Sequence, residues 1–251
     1  MMNHKTKPLI IIVVILAIAL VVYLNRAYAH IYNEIGAVNL KSPDLSGEYL
    51  IGNNMATTSL TYVALGDSLT AGVGAARYEE SYPYLVAQQL ASVNHKIVIK
   101  DEATPGITTA GLLANLLPKA TQDNPDVVTL LIGVNDIHNF VSVKDFQSNY
   151  AQILDQLSKK TKARVYVINL PLVGADTLVN PLYSYYFDVK TREFNELIKK
   201  LTVQYGAQYI DLYTPTRSLF KKADYYSTDL FHPSAAGYKI WADIIYADIN
   251  Q

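Results

Sequence analysis

A chain of 251 residues, half of them hydrophobic and 17% charged, can bury a sizeable core and is not a disordered segment. Its net charge is −1, or −4 once Lys5, Lys7 and Arg26 ahead of residue 30 are set aside; without the basic footprint that a phosphate backbone demands, nucleic acid is not an expected partner. Lack of cysteine excludes disulfides and thiolate metal sites, and the five histidines (His4, His30, His95, His138, His232) show no paired ligand spacing, so no metal is expected.

In chain order, the first feature is the unbroken apolar run from Leu9 to Leu24, preceded by Lys5 and Lys7. As a helix it covers roughly 24 Å, slightly short of a ~30 Å hydrocarbon core. It predicts a membrane segment with the body of the chain outside the cytoplasmic membrane. Its length exceeds a usual signal core of about 7–15 residues, which favours a retained single-pass anchor; the alternative is secretion after cleavage near Ala29, since Ala27-Tyr28-Ala29 offers small residues at both cleavage positions. Residues 30–59 show no clean period and hold Gly36, Pro43, Gly47 and Gly52-Asn53-Asn54, which reads as a tether. The organisation expected is therefore an N-terminal segment 1–29, a linker 30–59 and a domain 60–251.

From Leu60 strands and helices alternate. Strands are predicted at 60–65, 96–99, 127–132, 165–168 and 209–212. Phe146, Tyr150, Ile153 and Leu157 share one helical face behind a capping box of Ser142 and Asp145. Phe194, Leu197, Ile198 and Leu201 form a second stripe, and Tyr238, Trp241, Ile245 and Ile249 a third, capped by Ser234. Near-continuous apolar strands imply a parallel sheet covered on both faces, an α/β fold.

In such sheets ligands bind beyond the carboxyl ends of the strands. Ser68 follows the first strand, Gly106 the second and Asn135 the third, so three polar candidates converge on one edge. A serine hydroxyl is a weak nucleophile until a base takes its proton. His232 is the base available in the C-terminal half, and Asp229, three residues earlier, can fix its tautomer. The N–H groups of Ser68 and Gly106 and the Asn135 amide would face a developing oxyanion. Asp67 and Asp136 are read as organisers of loop backbone, His138 as a loop residue, and Asn180–Phe187 as either a pocket wall or a loop packing its aromatic rings. Arg77 breaks the dinucleotide pattern begun by Gly72-Val73-Gly74. Thr70 breaks the Gly-x-Ser-x-Gly elbow.

The four blocks Gly66-Asp67-Ser68-Leu69, Gly106, Gly133-Val134-Asn135-Asp136 and Asp229-Leu230-Phe231-His232 resemble those of the SGNH hydrolases, also called GDSL-type lipases or acylhydrolases. The resemblance covers about residues 60–250; Pro105 departs from it, where many members carry serine. It implies a flavodoxin-like three-layer α/β/α sandwich with a parallel sheet of about five strands. It also implies a serine ester hydrolase with a Ser68-His232-Asp229 triad, an oxyanion hole of Ser68, Gly106 and Asn135, and neither metal nor organic cofactor. The N-terminal run is similar to that of membrane-anchored members from Gram-positive bacteria. The substrate implied is a lipid or short-chain acyl ester; the alternatives are O-acetyl groups on a cell-envelope polysaccharide and, in another class, a membrane-tethered binding protein with an inactive site.

Overall fold

The apolar runs become the strands of one six-stranded sheet in the computed structural model of the chain, which describes residues 6–38, 40–43, 45, 49–52, 56–91, 95–175, 177–179 and 181–250. The main elements are α1 (Thr6–Val38), β1 (Tyr49–Ile51), β2 (Thr58–Gly66), α2 (Tyr82–Leu90), β3 (His95–Ala103) and α3 (Thr109–Gly111), which a π-helical turn joins to α4 (Leu117–Gln122). They continue with β4 (Val127–Leu131), α5 (Val134–His138), α6 (Val143–Lys160), β5 (Arg164–Ile168), α7 (Pro181–Gln204), β6 (Gln208–Ile210), α8 (Tyr213–Thr216) and α9 (Ala235–Ile249).

The strand order is β1-β3-β2-β4-β5-β6, with β2 to β6 parallel and β1 an antiparallel edge. Tyr62 to Leu65 and the whole of β4 are buried, as strands covered on both faces must be. The chain steps outward from β2 to β3, then crosses back to β4. Right-handed crossovers therefore place α2 on one face and α4, α6 and α7 on the other, and α9 packs beside α2. This is the expected three-layer sandwich.

Many of the buried aromatic groups are tyrosines whose hydroxyls find partners inside the core. Tyr62 shares a hydrogen bond with Thr129 at 2.7 Å, Tyr82 with Thr70 at 2.9 Å, and Tyr238 donates to the Val73 carbonyl at 2.7 Å. The last two tie both helices of one face to the turn that carries Ser68. The expected stripes are buried on α6, α7 and α9, with Leu197 half-buried. Ser142 Oγ accepts from the Asp145 N–H at 3.1 Å and donates to its carboxylate at 2.7 Å; Ser234 Oγ accepts from the Gly237 N–H at 3.2 Å.

Four expectations need correction. Residues 30–59 are not a structureless tether, because α1 runs on to Val38 and β1 pairs with β3. Ala27, Ile31 and Ile35, spaced by four, dock the end of α1 on the domain, and half-buried Tyr49 and Ile51 do the same for β1; Gly47, Asn53 and Asn54 lie outside the described residues. The aromatic segment after Asn180 is no loop: α7 starts at Pro181, and Tyr183 and Phe187 are buried one turn apart (Asn180 itself lies outside the described residues). His138 is the buried last residue of α5. The second parallel strand runs on to Ala103, because Lys100 pairs with Asp123 at 2.8 Å and Glu102 with Lys119 at 2.6 Å, so its charges do not end it.

Register sets up the site. Gly66 at the end of β2 lies opposite Ala103 of β3 and Leu131 of β4, so three strands finish on one rung. A Cβ on Gly66 would stand 2.1 Å from Thr70 Oγ1 and 2.5 Å from the Leu131 carbonyl oxygen; only glycine lets the chain turn there.

Candidate active site

Just past that rung, the chain after β2 folds into a tight turn. The N–H groups of Thr70 and Ala71 donate to the Asp67 carbonyl at 3.1 and 2.9 Å, and Val73 N–H donates to the Ser68 carbonyl at 3.0 Å. The Asp67 carboxylate caps the same turn, accepting from Leu69 N–H at 3.0 Å. Burial pushes the Asp67 carboxyl up to about 7, against the pull of the Leu69 hydrogen bond and with a further push from Asp136. Ser68 is carried on this turn, 8% exposed, with its Oγ 2.9 Å from His232 Nε2.

The His232 loop is built around one carboxylate. Asp229 Oδ1 accepts from Ser227 Oγ at 2.7 Å and from the backbone N–H groups of Phe231 and His232, both at 2.9 Å. Asp229 Oδ2 faces His232 Nδ1 at 2.5 Å. Burial tends to raise the Asp229 carboxyl, but the hydrogen bond and charge of His232, with the bonds from Ser227 and Phe231, hold it below the usual carboxylate range. Between the two residues Leu230 takes φ +59°, a left-handed conformation that a branched side chain adopts at a cost. The surrounding bonds hold it there: Ala175 N–H donates to the Leu230 carbonyl at 2.7 Å and Ser227 N–H to the His232 carbonyl at 2.8 Å.

The second and third strand ends deliver Gly106 and Asn135. Gly106 sits in a turn with φ +78° and nothing within 4 Å of the place a Cβ would occupy, so it bares its backbone to open space. Asn135, in the first turn of α5, donates through Nδ2 to Asp67 Oδ2 at 3.2 Å and to the Ile107 carbonyl at 3.0 Å. The Ile107 carbonyl can only accept, which fixes which end of the amide points there. Asp136 accepts from Thr109 N–H at 2.9 Å and from Thr109 Oγ1 at 2.5 Å, tying the glycine turn to the asparagine turn. Asp67 and Asp136 thus organise backbone, as read from the sequence. Among the described residues no group of three or more His, Asp or Glu side chains is arranged to hold a metal ion.

Ser68, Gly106, Asn135 and His232 together line one cavity of about 240 Å³. The sequence reading did not anticipate the rest of its wall: Ile31, Ile35, Leu40 and Ser42 from the first segment, then Val73, Pro105, His138 and Phe231. A larger groove of about 980 Å³ runs along Pro181–Asp188 and Tyr213–Lys221 and holds none of the four.

His138 is a second imidazole in the cavity wall. Its Nδ1 lies 2.8 Å from the Tyr183 hydroxyl, and its ring stacks on Phe187 with centroids 4.6 Å apart. Burial, then the charge of His232, lowers its pKa to about 4. The native state therefore refuses a proton that the unfolded chain accepts between about pH 6.5 and pH 4. Stability lost in that window as pH falls should disappear in His138→Phe, which keeps an aromatic ring without a titrating nitrogen. The stability of the variant relative to the parent is expected to climb as pH drops from 6.5 to 4, by on the order of 3 kcal/mol, read from melting curves across that range. A difference that does not change with pH would show that His138 titrates alike in both states.

Comparison with known proteins bears on what this geometry belongs to. The family model described as the GDSL-like lipase/acylhydrolase family matches residues 64–240. The spore germination lipase LipC of Bacillus licheniformis is 27% identical over 213 residues, covering 75% of this chain and 96% of its own length. Among solved structures, a lipase/acylhydrolase from Enterococcus faecalis superposes with a TM-score of 0.62 at 22% identity, over 76% of this chain and 95% of its own. Axe2, an acetylxylan esterase from Geobacillus stearothermophilus, gives 0.59 at 19% identity, over 78% and 97%. At those identities the two structures speak for the fold alone.

Proposed function

Because the chain belongs to the GDSL-like lipase/acylhydrolase family, and is thereby a carboxylic ester hydrolase, we propose that it cleaves lipid or short-chain acyl esters by a covalent serine mechanism run by Ser68, His232 and Asp229. The observation that carries this reading is the 2.9 Å contact between Ser68 Oγ and His232 Nε2, with Asp229 at the opposite ring nitrogen. Ser68 Oγ attacks the ester carbonyl carbon while its proton passes to His232 Nε2, and the negative charge moves to the carbonyl oxygen. Collapse of that tetrahedral species breaks the bond to the alcohol oxygen, which leaves with the proton from His232. Water, deprotonated by the same nitrogen, then releases the acid and restores Ser68. Asp229 stays ionised throughout and stabilises the imidazolium.

The oxyanion would be met by the backbone N–H groups of Ser68 and Gly106 and by Asn135 Nδ2. Both Asn135 N–H bonds are already engaged, and the longer one, 3.2 Å to Asp67, is the one the oxyanion can take over. Charge that exists only in the transition state gains most from such a donor, so Asn135→Ala should lower kcat by roughly 10²–10³ with little change in KM. The melting temperature should fall too, since Asp67 and the Ile107 carbonyl lose their donor. Steady-state kinetics decide the role: a lowered melting temperature with kcat preserved would leave Asn135 a structural residue only.

Ile31, Ile35, Leu40, Val73 and Phe231 give the cavity an apolar wall, which supports an acyl group over a sugar as its occupant. Turnover of p-nitrophenyl acetate compared with longer acyl esters tests this; activity confined to acetyl groups on a polysaccharide would support the O-acetyl esterase reading instead.

We place the domain outside the cytoplasmic membrane on α1 as a retained anchor. The helix is long and apolar enough to cross a membrane, and its apolar side chains from Leu9 to Tyr23 are exposed. Cleavage near Ala29 would cut a continuous helix and remove Ala27, which is only 8% exposed against the domain. The mass of the mature protein tests retention.

A further inference from the structure

We propose that the end of α1 is part of the enzyme's specificity machinery: Ile31, Ile35 and Leu40 form the wall that limits the length of the acyl chain seated beside Ser68. This rests on the esterase reading above and goes further by assigning selectivity to a segment ahead of residues 64–240, the stretch that matches the family.

Three observations carry it. First, burial along α1 changes abruptly. From Leu9 to Tyr23 the large apolar side chains are 46–63% exposed, whereas Ile31 is 1% exposed. Ala27, Ile31 and Ile35 fall on one face at intervals of four, and the exposed pair His30 and Glu34, 3.7 Å apart, lies on another. Helices that merely tether have no reason to bury one stripe at their last turns. Secondly, the packing is against the site and not beside it. The ring of Tyr28 lies 6.4 Å from that of His138, and Ile31 and Ile35 share a cavity with Ser68, Asn135 and His232. Thirdly, the chain beyond the helix continues the cover. Leu40 and Ser42 line the same cavity, and Ser42 Oγ donates to the Ala71 carbonyl on the Ser68 turn at 3.4 Å.

At about 240 Å³ the cavity is smaller than the ~300–1,000 Å³ of drug-sized ligand sites. Its size is set in large part by three branched side chains from this segment. An acyl chain that outgrows it must displace them. Shortening a wall residue should therefore admit longer chains, and lengthening one should exclude them. Hydrophobic discrimination of this kind is worth about 10–200-fold per methylene.

The test uses the full chain in detergent and the ratio of kcat/KM for p-nitrophenyl octanoate to that for p-nitrophenyl acetate. Ile35→Ala and Leu40→Ala are expected to raise the ratio at least about tenfold, and Ile35→Trp to lower it by a similar factor. Ratios unchanged in all three variants, while the parent turns over acetate and is labelled at Ser68 by a fluorophosphonate, would overturn the inference and leave the esterase reading standing. A parent that neither turns over nor takes the label would overturn the reading itself, and the inference with it. A second measurement does not depend on activity. The chain has no cysteine, so Ile31→Cys and Glu34→Cys each carry a single thiol. The first should react with a maleimide at least about tenfold more slowly than the second, because opening must precede its reaction; equal rates would show that α1 does not close the cavity.

Discussion

If Ser68 is the nucleophile as proposed, Ser68→Ala should abolish ester turnover, with kcat lowered by on the order of 10⁶ as when the nucleophile is removed from a Ser-His-Asp protease. What remains should be only ~10³–10⁴ above the uncatalysed rate, supplied by the oxyanion donors and by binding. The fold should survive, since the turn is held by backbone bonds and by Asp67, none of which involves the hydroxyl. The one side-chain partner lost is His232 Nε2, a bond worth about 1 kcal/mol. The direct measurement is covalent capture by a fluorophosphonate, which needs an activated serine and no natural substrate. Ser42 provides an internal comparison: its hydroxyl lines the same cavity but donates to the Ala71 carbonyl and, among the described residues, is not bonded to an imidazole. If Ser68→Ala still takes the label, the nucleophile is another residue, with Ser42 the first to examine.

How much of this could be read beforehand depended on the distance over which each interaction acts. The core strands were legible because burial on both faces leaves almost nothing but apolar residues, as in Val127–Leu131, where the hydroxyl of Thr129 is bonded to Tyr62. The α6 cap was legible because Ser142 and Asp145 are three residues apart. β1 was not: three residues cannot display a period, and its pairing with β3 reaches across nearly fifty positions. The start of α7 was hidden for another reason. Tyr183 and Phe187 share a face, but the intervening Tyr185 and Tyr186 blur the apolar stripe that would have revealed it.

The site divides in the same way. Asp229 and His232 lie three residues apart, and their mutual contact follows from local geometry. Ser68 and His232 are 164 residues apart; strand order made Ser68, Gly106 and Asn135 legible as neighbours, whereas His232, in the loop before α9, was legible only as the base available in the C-terminal half and from the resemblance of its block. The apolar wall was not legible. A uniformly hydrophobic run such as Leu9–Leu24 carries no stripe, and its character masked the amphipathic turns that follow Arg26. The signal existed in Ala27, Ile31 and Ile35, whose i, i+4, i+8 spacing continues the helix past the apparent end of the membrane segment. The engagement of the Asn135 amide by the Ile107 carbonyl was also beyond reach, because it depends on where Ile107 presents that oxygen.

Asp229→Asn is the sharper test of the proposed proton path, because it changes a proton without changing a shape. In the parent, Oδ1 collects three donors while Oδ2 faces His232 Nδ1, so the ring must carry its proton on Nδ1 and keep Nε2 free to accept from Ser68. An asparagine has one acceptor atom and one donor atom. Its oxygen is bound to take the place of Oδ1, since three donors converge there and an amide nitrogen would repel them all. The amide nitrogen then faces Nδ1 and can only donate. The ring must answer by accepting on Nδ1, which moves its proton to Nε2, the atom that has to deprotonate Ser68. The side chain is in place and the tautomer is wrong. The corresponding exchange in the Ser-His-Asp template lowers kcat by ~10⁴, and a fall of that order is expected here. Stability should change far less, because the three loop bonds to the oxygen persist. Kinetics and a melting curve on one sample separate the outcomes. A kcat near that of the parent would mean that another group orients His232, whereas a collapse of stability matching the loss of activity would mean that Asp229 holds the loop and does no more.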